Sequence, residues 1–220
     1  DGSKYTQRDG DALCISCTNT IDSETITNDI TTRKDREMIV IQIQSHKKKD
    51  YVLATENDKK LFGVASEYFK SKFDELKKLD MIPYEDIKPS HQDTLGHFGI
   101  KNWYEFFSER QLLVHTTFLK NSKIVLEKIK DVEYRKVISI YLSFLLCKSV
   151  QINAYGVPWH KGAEAPQHVN TFRRPSFVYN HAEPNPFGKI GGSYSNNITT
   201  IRKAIEFCCN LKQGTNVELK

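Results

Sequence analysis

Two stretches of this 220-residue chain combine residue types and spacings that could do chemistry, and the first is Cys14-Ile15-Ser16-Cys17. A CxxC turn can present two thiolates to one Zn²⁺ from the same side, but a closed structural zinc site takes four ligands. No second CxxC follows. Cys147 falls in an apolar run, and Cys208 and Cys209 are adjacent, a poor geometry for joint ligation. Cys14 and Cys17 are therefore half a metal site or, on the plainer reading, two cysteines of a solvent-near loop. A redox pair is disfavoured, because such motifs open a helix and Thr18-Asn19-Thr20 starts one poorly.

The second stretch, residues 157–194, reads VPWHKGAEAPQHVNTFRRPSFVYNHAEPNPFGKIGGSY. Trp159, Phe172, Phe177, Tyr179 and Phe187 are interleaved there with Lys161, His168, Arg173, Arg174 and His181. Stacking faces mixed with cations suit unpaired bases and phosphates. An aromatic-stapled loop packed on neighbouring helices fits the same composition. Lys47, Lys48 and Lys49, expected at a hairpin tip, are further candidates for phosphate contact or simply a solvated turn.

These candidates must be positioned by the rest of the chain. MIVIQIQ, Met38 to Gln44, alternates with period two and predicts a strand, returning antiparallel over Tyr51 to Ala54. Thr55 with Asp58 is a capping pattern, and Leu61, Ala65, Tyr68, Phe69, Phe73 and Leu76 trace one face of the helix that follows. Ser108 with Gln111 repeats the pattern: the hydroxyl takes the Gln111 N–H and the Gln side chain reaches back. A helix from Glu109 is expected, with Leu112, Leu113, Thr116 and Leu119 on one stripe, Trp103, Phe106 and Phe107 over its first turn, and a brief break at Asn121-Ser122. Tyr134 to Ile152 carries the strongest 3.6 period. Its apolar residues on several sides predict burial against more than one neighbour. A last helix is expected over Ser193 to Leu211, with Ile198, Ile201, Ala204, Ile205 and Cys208 inward. The fold class is mainly α with a small β-hairpin and half zinc ribbon at the N-terminus, an α+β chain. Its organisation reads as 1–56, a half knuckle and hairpin; 57–155, a helical core; and 156–220, an aromatic and basic loop with a helix, packed on that core.

With 39% hydrophobic and 11% aromatic residues the chain is expected to be globular, and a net charge of +5 tilts toward a polyanionic partner. The longest apolar run, Ile138 to Leu146, is far short of the roughly 20 residues of a bilayer span, so no membrane partner is expected. The start at Asp1, with neither Met nor a secretory stretch, reads as an internal piece of a cytoplasmic protein, and five cysteines fit reduced thiols.

The wording of Phe98 to Phe118, FGIKNWYEFFSERQLLVHTTF, resembles a segment of the zinc-ribbon adenine-specific DNA methylases that carry a DUF1156 domain. Ser108, Arg110 and Gln111 match its central motif, and Asn170-Thr171-Phe172, Arg174, Glu183 and Asn185-Pro186-Phe187 match a second motif of that family. The resemblance implies that Cys14 and Cys17 form one zinc knuckle whose partner lies upstream; Thr18 or Asn19 stands where the family carries glycine. It also implies a parent enzyme that uses S-adenosylmethionine to methylate adenine N6 in DNA. This chain would be the insert between its two halves, with DNA and those halves as partners. Catalysis by the chain alone is not expected: no glycine-rich loop follows a strand, and Asn185-Pro186-Phe187 lacks the second proline of an Asn-Pro-Pro-Tyr/Phe motif. In this reading Lys161, Arg173 and Arg174 contact phosphates, and Trp159 or Phe172 supports the gap left by an extruded base. The alternative is a structural or partner-binding module with no DNA affinity, its aromatic loop packed internally.

Overall fold

The computed structural model describes residues 11–33, 36–45, 48–88, 95–171, 178, 181–188 and 190–210. The fold is mainly helical, with small two-stranded antiparallel sheets. The chain divides into two compact units, the first of residues 1–73 and 83–106, the second of residues 74–82 and 107–220.

In the first unit, β1 (Ala12–Leu13) and β2 (Thr20–Ile21) form a short hairpin around the CxxC turn. Helix α1 (Ser23–Arg33) follows, and the sequence reading missed it. Its stretch, SETITNDITTR, holds only two apolar residues and so no periodic stripe, but its start is well capped. The Asp22 carboxylate accepts the Thr25 N–H at 2.7 Å, and the Asp11 carboxylate accepts the Ser23 N–H at 2.9 Å. β3 (Val40–Ser45) and β4 (Lys48–Leu53) pair from Val40–Leu53 to Ser45–Lys48. Lys48 and Lys49 belong to the returning strand rather than to the tip expected for them.

Helix α2 (Glu56–Lys78) starts as its capping pattern predicts, with Thr55 Oγ1 and the Asp58 carboxylate exchanging bonds with each other's backbone N–H. Of its expected apolar face Phe69 and Leu76 are buried, whereas Leu61 and Tyr68 stay exposed. Phe73 meets Phe69, Tyr84 and Tyr104 edge-on, and Tyr84 stacks on Tyr104 with rings 3° from parallel. Two 3₁₀ turns, Gly96–Phe98 and Trp103–Phe106, follow, and Leu95, Ile100 and Phe106 beside and within them are buried.

The second unit is built on α3 (Glu109–Glu127), α4 (Val132–Val150) and α5 (Tyr194–Asn210), with α4 packed against both of the others. The expected break at Asn121-Ser122 is absent. Asn121 Nδ2 donates back to the Thr117 carbonyl at 2.9 Å and Ser122 is buried, so both polar side chains are accommodated inside a continuous α3. Asp131 caps α4 through the Tyr134 N–H, and Ser193 caps α5 through the Asn196 N–H. The inward side of α5 differs from expectation: Tyr194 and Asn197 are the buried positions, while Ile198, Ala204 and Cys208 are exposed. Between α4 and α5 the chain buries Ile152, Ala154, Tyr155, Val157 and Val169 and forms a minimal hairpin, β5 (Trp159–His160) with β6 (Ala165–Pro166).

Candidate functional site

The second unit has a polar interior, and its geometry begins at the cap of α3. Ser108 Oγ accepts the Gln111 N–H at 3.1 Å, and Gln111 Oε1 accepts the Ser108 N–H at 2.9 Å. Gln111 is fully buried, so its amide needs further partners, and Nε2 donates to Asn153 Oδ1 at 3.0 Å. On the other side, Ser108 Oγ lies 3.3 Å from Glu183 Oε2. Arg110 Nε, one residue into the helix, donates to Glu183 Oε1 at 2.6 Å.

One turn along α3, His115 continues the same network. Its Nε2 lies 3.3 Å from the Asn153 carbonyl, and its Nδ1 lies 2.9 Å from the Tyr194 hydroxyl. A carbonyl can only accept, so Nε2 carries the proton and the Tyr194 O–H donates to Nδ1. Burial holds the His115 pKa down to about 4, against a smaller raising effect of the Asn153 carbonyl, and the ring is neutral at pH 7. Burial also pushes the Tyr194 phenol up, opposed by a hydrogen bond from Ser149. Ser149 Oγ in turn accepts from Asn197 Nδ2 at 3.1 Å. Nine residues thus run in one chain of hydrogen bonds, Asn197, Ser149, Tyr194, His115, Asn153, Gln111, Ser108, Glu183 and Arg110, linked through side chains, two backbone N–H groups and the Asn153 carbonyl, and tying α3, α4, α5 and two loops together. Phe107 packs edge-on to His115, and Phe118 stacks on Tyr194 at 4.4 Å, flanking the buried part of the relay.

Of the motif residues read from the sequence, Ser108, Arg110, Gln111 and Glu183 meet in this network. His115, Asn153, Ser149, Tyr194 and Asn197 were not anticipated. A polar residue on a helix's inner stripe was the available signal, but no pattern names its partner across 38 or 79 positions. Pro186 offers its carbonyl to the Tyr194 N–H at 2.9 Å, and Asn185 Oδ1 accepts the Phe187 N–H, which leaves Phe187 projecting outward. Asn170 and Thr171 lie in an exposed turn where Thr171 Oγ1 donates to the His168 carbonyl.

The nucleic-acid candidates are distributed. Trp159 is half-buried in β5, and Lys161 is exposed on the four-residue turn that His160 Nδ1 closes by accepting the Ala163 N–H. Lys48 and Lys49 belong to the other unit. Lys47, Phe172, Arg173 and Arg174 lie outside the described residues, as do Phe177 and Tyr179.

At the CxxC turn, Cys14 N–H donates to the Asn19 carbonyl at 2.9 Å and Thr18 N–H to the Cys14 carbonyl at 2.8 Å. The N–H groups of Cys17 and then Ser16 point at the Cys14 sulfur and hold its thiol below the usual range. Thr18 adopts φ 60°, a left-handed conformation that a β-branched residue takes only under strain. Two thiolates on such a turn fit one side of a tetrahedral Zn²⁺. Among the described residues no group of three or more His, Cys, Asp or Glu side chains is placed to complete it. The sheets among the described residues are all two-stranded and antiparallel. No helix among them is long and apolar enough to cross a membrane.

The class these features define is a mainly helical chain whose second unit is organised by a closed polar relay. No family model, curated protein or solved structure matches the chain.

Proposed function

We propose that this chain is the DNA-positioning insert of an S-adenosylmethionine-dependent adenine-N6 DNA methyltransferase, binding DNA rather than catalysing methyl transfer alone. The observation that carries the proposal is the junction of Ser108, Arg110 and Gln111 with Glu183. The two stretches that resemble the methylases, far apart in the sequence, supply opposite sides of one hydrogen-bonded cluster. A base methylated at its exocyclic amine must leave the stack, and an insert can stabilise that state through phosphate contacts and a stacking face. Lys161, Arg173 and Arg174 are assigned the phosphates, with Lys47, Lys48 and Lys49 as further cations, and Trp159 or Phe172 the stacking face. S-adenosylmethionine would bind in the enzyme's other parts, and zinc would sit where Cys14 and Cys17 meet a second cysteine pair.

The test is fluorescence anisotropy of the chain with single-stranded and duplex DNA over a salt series. Binding that weakens steeply with salt, with a shallower slope after Arg173→Ala/Arg174→Ala, supports the proposal. Absence of binding at low salt refutes it. That outcome would favour a second reading, a structural or partner-binding module without DNA affinity. One observation speaks for it: Arg110, the cation of the cluster, is already satisfied by Glu183, and the relay's other bonds close on themselves.

A further inference from the structure

Helix α4 is apolar on several sides, yet the structure covers only part of it. Leu145 and Ser149 are buried, whereas Tyr134 is 58% exposed, Val137 46%, Ile140 53% and Phe144 58%. At 3.6 residues per turn these four, with half-buried Tyr141, lie within a stripe about 120° wide. Phe144 leans edge-on against Tyr141, so the stripe is a continuous apolar strip on a regular helix. A scattered exposed side chain needs no explanation, but a stripe this long on one helix is an interaction surface.

The order of residues along the stripe identifies its occupant. Glu133 stands at its N-terminal end and Lys148 at its C-terminal end, both exposed and on the same side of α4 as the apolar residues. Residues equidistant from the midpoint between Ile140 and Tyr141 are complementary: Ile140 with Tyr141, Val137 with Phe144, and Glu133 with Lys148. Two copies of α4 laid antiparallel would place each of these opposite its complement in the other copy. Such self-complementarity about a point is the requirement of an isologous two-fold interface. Glu133 pairs with Lys136 within its own helix at 2.8 Å, but both side chains are largely solvated and the pair is easily exchanged.

We propose that the exposed stripe of α4 docks on the same stripe of a second copy of this chain, antiparallel, with the dyad between Ile140 and Tyr141. Apolar contact supplies the affinity, and the two Glu133–Lys148 pairs fix direction and register.

Sedimentation equilibrium on the chain over a concentration series tests it. The expected result is a reversible monomer–dimer equilibrium. Ile140→Glu should abolish it, Glu133→Lys or Lys148→Glu should each weaken dissociation constants about tenfold, and Glu133→Lys/Lys148→Glu should restore the affinity. The helical circular dichroism of every variant should match that of the parent chain, since the substituted positions are exposed. A monomer at all concentrations would overturn the proposal and assign the stripe to a different partner. A dimer indifferent to Ile140→Glu, or one that the double charge exchange fails to rescue, would equally overturn it. Neither result depends on DNA binding.

Discussion

Arg110 and Glu183 stand 73 positions apart in the sequence, and in the structure Arg110 Nε donates to Glu183 Oε1 at 2.6 Å. The pair sits at the outer end of the polar relay, with Ser108 Oγ on the second carboxylate oxygen. Both side chains are partly shielded, so the pair is more than a solvated surface bridge. A double-mutant cycle with Arg110→Ala and Glu183→Ala should give a coupling free energy of about 1–2 kcal/mol in urea unfolding. Independent, additive effects would show that the two residues do not hold the loop to α3.

Deeper in the relay, Gln111→Ala removes two bonds and strands the Ser108 N–H and Asn153 Oδ1 without partners in a buried setting. The expected cost is about 2–4 kcal/mol. Gln111→Glu, isosteric but charged, should cost at least as much, because its second oxygen faces the Asn153 acceptor. Thermal unfolding of the two variants checks both statements.

His115 makes stability depend on acid. The unfolded side chain titrates near 6.5 and the folded one near 4, so between these values the unfolded state binds the extra proton. The contribution is complete above pH 6.5 and is lost as pH falls toward 4, by about 3 kcal/mol in all. His115→Gln keeps the site neutral and should flatten the stability profile across that window. An unchanged profile would mean that His115 is not protonated on unfolding there.

Gly192 marks a close approach. Its φ is +88°, and a Cβ built there would lie 2.7 Å from Ile152 Cβ. Gly192→Ala should cost about 2 kcal/mol or more, since both the backbone and the contact oppose it. Gly191→Ala, whose Cβ would meet nothing within 4 Å, is the control and should change the midpoint little.

The CxxC turn yields three expectations. Thr18→Gly should stabilise by about 1 kcal/mol by relieving its left-handed backbone. Cys14, with two N–H groups directed at its sulfur, should alkylate with iodoacetamide faster at neutral pH than Cys147. Peptide mass spectrometry over a time course reads the ranking; equal rates would remove the case for an activated thiolate. Zinc added to this chain alone should bind below one equivalent, because the described residues offer two ligands rather than four.

How much was legible in the sequence varied with the range of the interaction. The caps at Thr55 and Ser108 and the long helices were readable because each is decided within four residues or by a repeating period. The uninterrupted α3 and helix α1 were misread or missed where short polar residues fit a turn and a helix equally well. Lys48 and Lys49 fall in β4 because strand pairing with Ser45 and Gln44, which charge alone does not signal, decides where the turn ends.

By itself, the sequence determined the mainly helical class, the two capped helix starts and the thiol pair at Cys14 and Cys17. Local hydrogen-bonding capacity and hydrophobic spacing suffice for those. Only the tertiary structure decided that Gln111 and His115 would share Asn153, that Tyr194 would join α5 to His115, and that one face of α4 would stay uncovered. A buried polar group must find a partner, and the sequence states that need; which distant residue meets it depends on how the helices pack.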